Sequence, residues 1–464
     1  MSAPAAVALA TKLPGAGTLA LGAAGAIVVI ALLVVVMRRH DDAFPLLAVF
    51  ALAFRVPIST DGKTVNLLIP LYLVVAAGTV VALLQMRDVS AGRAVVADDA
   101  PGEPFAPRRA AFWFSPRGVE VLLALAVALY ALQALYSSDL TRAAENVAFF
   151  YVPFGLLFVL LRRVRWTREL LLRCLAVVVV LAVAFAGIGF IEYARKSLFL
   201  NPKVVAANQY DNYFRVNSLF FDPNIYGRFL ALVMIALSTV VLWSSSRREI
   251  GWGAALLAWL LGGLVTSFSQ SSIAALLLGL AVLAAWRWDV RATLYAALGL
   301  FALAAVVVLL APTSLHFGLK GTSGSTSNAT SGRTKLVSGG LELFAKRPLT
   351  GYGSGSFETQ YRRHSQTTTE NATSASHTIP VTVAAEQGVI GLAVYVALVC
   401  ASLLVLFSGA GRSPPRIAIA ACFAALLLHT WTYADFLEDP FTWALLAVGV
   451  ALARRARAAP ASSF

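Results

Sequence analysis

Four side chains in this 464-residue sequence have types and positions that suit chemistry: His377, Glu386, Arg215 and Arg333. His377 stands in SASHTIPVTVAAEQGVIGL, residues 374–392, where a polar stretch gives way to an apolar run. An imidazole with an unperturbed pKa near 6.5 offers a neutral base at physiological pH. A lone histidine is more often a satisfied structural residue, and the pattern alone leaves both readings open. Glu386 follows nine residues later, roughly 13 Å further along a helix that rises about 1.5 Å per residue. A carboxylate at that depth in an apolar run must be paired, protonated or solvated by a polar cavity. Gly388 and Gly391 beside it let another segment approach closely. Glu386 therefore reads as structural, an internal hydrogen bond that fixes the helix beneath His377. On that reading an amide serves nearly as well, and Glu386→Gln is expected to cost little.

Arg215 lies in YFRVNSLFFDPNIYG, a few residues before an apolar helix that Asp222 or Asn224 could cap. Arg333 opens a segment in which Val337, Leu341 and Phe344 recur at helical spacing. Arginine stays charged at any working pH and presents a planar fork of donors that fits phosphate. Two such groups at a membrane face suit a diphosphate headgroup. The neighbouring cations Arg195, Lys196, Lys203, Lys320, Lys335, Lys346, Arg347, Arg362 and Arg363 read as ordinary loop surface.

The elements that must carry these residues are transmembrane helices. The chain is 59% hydrophobic and 13% charged, where soluble proteins carry about 25% charged residues. Apolar runs near the roughly 20 residues needed to span a bilayer recur throughout. Helices are expected near 17–37, 43–58, 65–86, 119–136, 146–161, 170–190, 224–243, 252–268, 272–286, 293–311, 379–407, 416–431 and 440–453. Short basic connections at 162–165, 247–248, 287–291, 412–416 and 454–457 should face the cytoplasm, which accounts for the net charge of +14. The loops 59–64, 137–146, 192–223, 312–378 and 432–439 then face outside. Scattered basic residues argue against nucleic-acid binding. The three cysteines, Cys174, Cys400 and Cys422, all lie in apolar runs and imply no disulfide framework. The first residues lack the basic flank of a signal peptide, so the first apolar run is expected to stay as an anchor.

The chain thus divides into a transmembrane part (1–311), a large external loop (312–378) and C-terminal helices with a short tail (379–464). Loops as long as 192–223 and 312–378 are usually functional or disordered. Within the second, GTSGSTSNATSG reads as a flexible linker, followed by a short amphipathic helix. KRPLTGYGSGSF reads as a turn-rich stretch without the phosphate-cradling loop pattern.

Three segments, RVNSLFFDPNIYGRFLAL, SGRTKLVSGGLELFAKRPLTGYGSGSF and SHTIPVTVAAEQGVIGLAVYV, resemble in order the signature of the O-antigen ligase and polymerase superfamily. The resemblance covers about 210–400. It implies an all-α integral membrane glycosyltransferase, a GT-C-like bundle of about 12–13 helices whose large external loop contains short amphipathic helices. Such an enzyme sits in the bacterial inner membrane with its site on the periplasmic side. It takes a glycan from undecaprenyl diphosphate, with a glycolipid or glycan as acceptor and the bilayer as its setting. The resemblance places the essential loop histidine on His377 and the phosphate-binding arginines on Arg215 and Arg333; Glu386, from its place in the helix, and Asp435 are supporting candidates beside them. Two positions depart from the family pattern. Thr378 stands where Asn often follows the histidine, and Gln270 stands where the turn TSFSQSSIAA would carry arginine.

The expected reaction is a direct, inverting displacement at the anomeric carbon. His377 takes the acceptor hydroxyl's proton while the arginines stabilise the departing diphosphate. The first external loop, STDGKT, holds one acidic residue, Asp61, which is poor support for a metal site. No cofactor and no metal are expected. A polymerase, a lipid-linked glycan transporter and a non-catalytic wall-assembly scaffold are the rival readings.

Overall fold

The computed structural model describes residues 16–60, 63–90, 112–199, 214–288, 291, 326–365 and 378–458. In chain order the elements are α1 (Ala16–Arg39), α2 (Ala43–Ala51), β1 (Val56–Thr60), β2 (Lys63–Leu67), α3 (Ile69–Ser90) and α4 (Pro116–Ala134). Then come α5 (Leu140–Asn146), a π-helical turn (Val147–Tyr151), α6 (Val152–Leu161), α7 (Arg168–Arg195), α8 (Pro223–Trp243), α9 (Arg247–Thr266) and α10 (Gln270–Arg287). The last are α11 (Thr326–Lys346), α12 (Phe357–Ser365), α13 (Ile379–Phe407), α14 (Pro414–Thr432) and α15 (Pro440–Ala458). Among the described residues ten helical spans are long and apolar enough to cross a membrane, so the chain is an all-α integral membrane protein with one short hairpin.

Helix starts follow from local chemistry. Ser115, Thr167, Asp222 and Ser269 each accept a hydrogen bond from a first-turn N–H, which satisfies a donor the helix leaves over. Pro116 and Pro223 occupy first helical positions, where the missing N–H costs nothing.

Several expectations shift. The run 43–58 is not one helix, because α2 stops at Ala51 and the chain turns into an antiparallel hairpin with Val56 opposite Leu67 and Thr60 opposite Lys63. Pro57 disfavours helix in the residue before it, and Val56, Ile58, Thr60, Thr64 and Val65 are β-branched. The span expected at 146–161 begins at Leu140 and passes through the π-turn just before Pro153, a residue that cannot donate to the preceding turn. Within the stretch read as linker, residues 326–332 are the start of α11. The buried stripe of α11 is Leu336, Gly339, Gly340 and Leu343, while Leu341 is exposed. The stripe sits one residue round the helix from the expected one because Tyr361 and Phe357 of α12 pack onto Gly339 and Gly340. The span expected at 293–311 lies outside the described residues.

Two apolar cores organise the bundle. One joins α3, α4, α6, α13 and α15; the other joins α7, α8, α9, α10 and α14. α14 contributes to both, with Phe423 and Leu427 in the first and Cys422 and Leu426 in the second. The most enclosed helix is α8, with 78% of its span buried in protein. At the basic end, Glu120 ties Arg162 (2.7 Å) to Arg454 (2.8 Å). The polar clusters described next lie at the other end, where α7 finishes and α8 begins.

Candidate functional site

The segment before α8 is held from three sides. Glu192, fully buried near the end of α7, accepts hydrogen bonds from the backbone N–H of Ser218 (2.8 Å) and Phe199 (3.0 Å). The Val216 N–H donates to the Thr266 carbonyl at the end of α9 (3.2 Å), and Asp222 caps α8 by accepting from Asn224 N–H (2.6 Å). Arg215 is fixed within this frame. Its Nε donates to the Ser267 carbonyl and its Nη2 to Asn224 Oδ1, each at 3.2 Å.

The turn between α9 and α10 braces Asn224 in its turn. Ser269 Oγ donates to Asn224 Oδ1 (2.9 Å) and lies 2.7 Å from Ser272 Oγ. His429 Nε2 of α14 lies 3.3 Å from Ser271 Oγ and 3.2 Å from Ser272 Oγ. The serines of TSFSQSSIAA are therefore the buried scaffold behind Arg215, while Gln270 in the same turn is exposed. His429 stacks edge-on against Tyr433 (5.7 Å), which hydrogen-bonds Asp222 and feels the charge of Asp435. Asp435 and Arg215 thus border one polar cluster.

A second set of charges lies beside it. Arg228, one turn into α8 and 2% exposed, pairs with Asp439 (2.5 Å) and donates to the Ala434 carbonyl (3.4 Å). Asp439 also accepts from Phe441 N–H (2.8 Å) at the start of α15. Glu438 accepts from Asn146 Nδ2 (3.0 Å), which also donates to Tyr130 (2.8 Å). Burial pushes the Glu438 carboxyl up to about 7; Asp435 adds to the rise and Arg142 opposes it. Arg55 lies half-buried at the corner between α2 and β1, its guanidinium 5.2 Å from the centre of the Phe221 ring. Asp435 is half-buried, with a left-handed backbone (φ +68°).

Arg55, Arg142, Arg228, Glu438 and Asp439 are polar-cluster residues that the sequence reading left out. Arg228 carried a usable signal, a charge inside an apolar span that demands a partner. Asp439 precedes Pro440 as Asp222 precedes Pro223, the same helix-start signature.

Glu386 faces a different neighbour. Its Oε2 accepts from Gly355 N–H and its Oε1 from Phe357 N–H, both at 2.9 Å. The partner is the glycine-rich stretch 348–357, laid against a break in α13 at Gly388 (φ +65°, ψ −164°). Backbone bonds close the break, from Val389 N–H to Pro348 O (2.7 Å) and from Gly353 N–H to Glu386 O (2.8 Å). The connector between α4 and α5 grips the same stretch, with Tyr136 donating to Thr350 O (2.8 Å) and Ser137 to Ser354 O (2.7 Å).

Arg333 lies in α11, and its side chain falls outside the described residues, as does the whole of His377. The helix that carries Arg333 nonetheless packs on the helix that follows His377 in the sequence. α11 packs on α13 through Gly340 and Val381, and α13 begins at Ile379, two residues after His377. Among the described residues, no group of three or more His, Cys, Asp or Glu is placed to hold a metal ion. The arrangement supplies fixed guanidinium groups and a buried acid titrating near neutrality. Such a site can bind and stabilise an anion.

Residues 255–396 match the family described as O-antigen ligase. The matched stretch includes Arg333, His377 and Glu386; Arg215 and Asp435 lie outside it. No curated protein matches the chain.

Proposed function

We propose that the chain, whose residues 255–396 match the family described as O-antigen ligase, is an inverting glycosyltransferase of the bacterial inner membrane. It transfers a glycan from undecaprenyl diphosphate to an acceptor hydroxyl on the periplasmic side, acting as a ligase that places a finished polymer on lipid A–core or a similar acceptor. The observation that carries this reading is Arg215. A guanidinium braced by Ser267 and Asn224 at the N-terminus of the central helix α8 is pre-organised for a phosphate-bearing leaving group.

In the proposed step, His377 accepts the proton from the acceptor hydroxyl as its oxygen bonds to the anomeric carbon. The bond from that carbon to the diphosphate oxygen breaks, and the electron pair leaves with the diphosphate. Arg215 and Arg333 take up the charge that develops there, the part a metal ion plays in other membrane glycosyltransferases. Glu386 acts by positioning. It locks the stretch 348–357 onto α13 and so fixes the helix that follows His377. Asp435 borders the Arg215 cluster and is proposed as a supporting polar contact.

The test compares Arg215→Lys, Arg333→Lys and His377→Ala with wild type in detergent-purified or reconstituted protein. Both lysine variants are expected to lose donor affinity, because a point charge replaces a fork whose orientation is set by two internal bonds. His377→Ala is expected to abolish transfer at unchanged protein yield and melting temperature. Wild-type turnover by a well-folded His377→Ala protein would refute the mechanism. Chain extension by repeat units, read as a ladder of products, would favour a polymerase.

A further inference from the structure

Among the described residues around α8, one half-buried arginine makes no hydrogen bond or ion pair. Arg228 is matched by Asp439, and Arg215 is bonded to Ser267 and Asn224. The arginine without such a partner is Arg55. Its contact is the Phe221 ring, 5.2 Å away. Asp439, Asp435 and Glu438 act on it only through space, and Arg228 repels it. Asp439 is already engaged by Arg228 and by the Phe441 N–H.

Taking a guanidinium out of water without a hydrogen-bonded anion is costly. The segment that carries it is packed among aromatic rings. Phe54 beside it packs edge-on against Phe185 (5.8 Å), Phe185 packs against Phe220 (5.4 Å), and Phe221 supports the guanidinium. A cation held near an aromatic ring by the ring's quadrupole spends no N–H donor on a hydrogen-bond acceptor, and so its donors stay available to an anion. The segment 214–222 thus has Arg215 at its beginning and Arg55 against its last aromatic residue, both beside the α8 N-terminus, where a helix favours negative charge.

We propose that Arg55 is a further substrate-binding residue, which joins Arg215 and Arg333 in holding a diphosphate headgroup and engages its second phosphate. This rests on the functional reading above, since the donor lipid is the source of that diphosphate. Arg55 then discriminates a diphosphate lipid from a monophosphate one, because the second phosphate is the group it engages. The released carrier, still a diphosphate, keeps this contact until it leaves.

The experiment measures binding of undecaprenyl diphosphate and undecaprenyl monophosphate to the full chain in lipid nanodiscs, with no acceptor present. Wild type is expected to prefer the diphosphate. Arg55→Gln should weaken diphosphate binding by about tenfold or more and bring it near the monophosphate value, as expected for loss of a charge-assisted contact. Arg55→Lys keeps the charge but loses the planar fork of donors. It should fall in the same direction, and it serves as the readout if the glutamine variant does not fold. Inorganic pyrophosphate should displace the lipid from wild type, which would identify the headgroup as the ligand; undiminished lipid binding at saturating pyrophosphate would contradict that. Unchanged diphosphate affinity in both folded variants would overturn the role of Arg55 alone. Failure of wild type to bind either lipid would instead overturn the functional reading, and this inference with it.

Discussion

At Glu386 each carboxylate oxygen accepts a different backbone N–H, one from Gly355 and one from Phe357. An amide has one accepting oxygen, so Glu386→Gln would set an NH₂ group against an N–H. The sequence reading, which knew only that a partner was needed, expected this substitution to cost little. The geometry reverses that expectation. Glu386→Gln should destabilise the protein by about 1–3 kcal/mol, and Glu386→Leu by more, because it strands both donors. Thermal melts of the purified variants check this, and a glutamine variant as stable as wild type would contradict it. Glu438 carries a second prediction at this scale. Its carboxyl is raised from an ordinary value of 4.5 to about 7, first by burial and then by Asp435. The folded state therefore holds a proton that the unfolded chain releases earlier. The resulting stability is fully present below about 4.5 and is lost as pH rises through about 7. Melting temperature should fall across that window in wild type and fall less in Glu438→Gln, whose side-chain oxygen can still accept from Asn146. Arg215, His377 and Glu386 stood out in the sequence by type and place. Arg55 did not, because its significance comes from Phe221, a partner 166 positions away.

The broken helix α13, with the stretch 348–357 packed into it, is the element that positions the chain following His377. A Cβ on Gly388 would meet the Leu349 carbonyl oxygen at 2.3 Å and the Thr350 nitrogen at 2.7 Å, and the φ of +65° is strained for any other residue. Gly351, at φ +66°, meets the Glu386 carbonyl oxygen at 2.2 Å in the same way. Gly388→Ala and Gly351→Ala should each cost at least about 2 kcal/mol and lower transfer by misplacing the start of α13. Limited proteolysis near 348–357 together with melting would reveal the loosening; wild-type behaviour in both would contradict it. Glycines in PLTGYGSGSF and AAEQGVIG were legible as turn-formers and close-packing residues. That the two stretches grip each other was not, since no sequence period links them. The hairpin 56–67 was hidden for a related reason: its β-branched residues are apolar enough to extend the preceding hydrophobic run. The rotated stripe of α11 depended on Tyr361 and Phe357, residues of a later helix.

Over the whole molecule, α14 joins two apolar cores and α8 runs enclosed beside it, so the arginines at the α8 end have a rigid base. Composition and apolar run length disclosed the helical membrane class, and three ordered segments pointed to the family that residues 255–396 match. The ion pair Arg228–Asp439 and the hydrogen bond from Asn146 to Glu438 join segments hundreds of residues apart and emerge only from tertiary packing. The central claim is glycosyl transfer from a diphosphate lipid. Its most direct measurement incubates the reconstituted full chain with a defined undecaprenyl-diphosphate glycan and a lipid A–core acceptor, with a chelator present, and follows the acceptor by mass. The account predicts acceptor enlarged by one complete glycan block together with stoichiometric release of undecaprenyl diphosphate. Acceptor of unchanged mass, with the glycolipid merely moved across the bilayer, would contradict it.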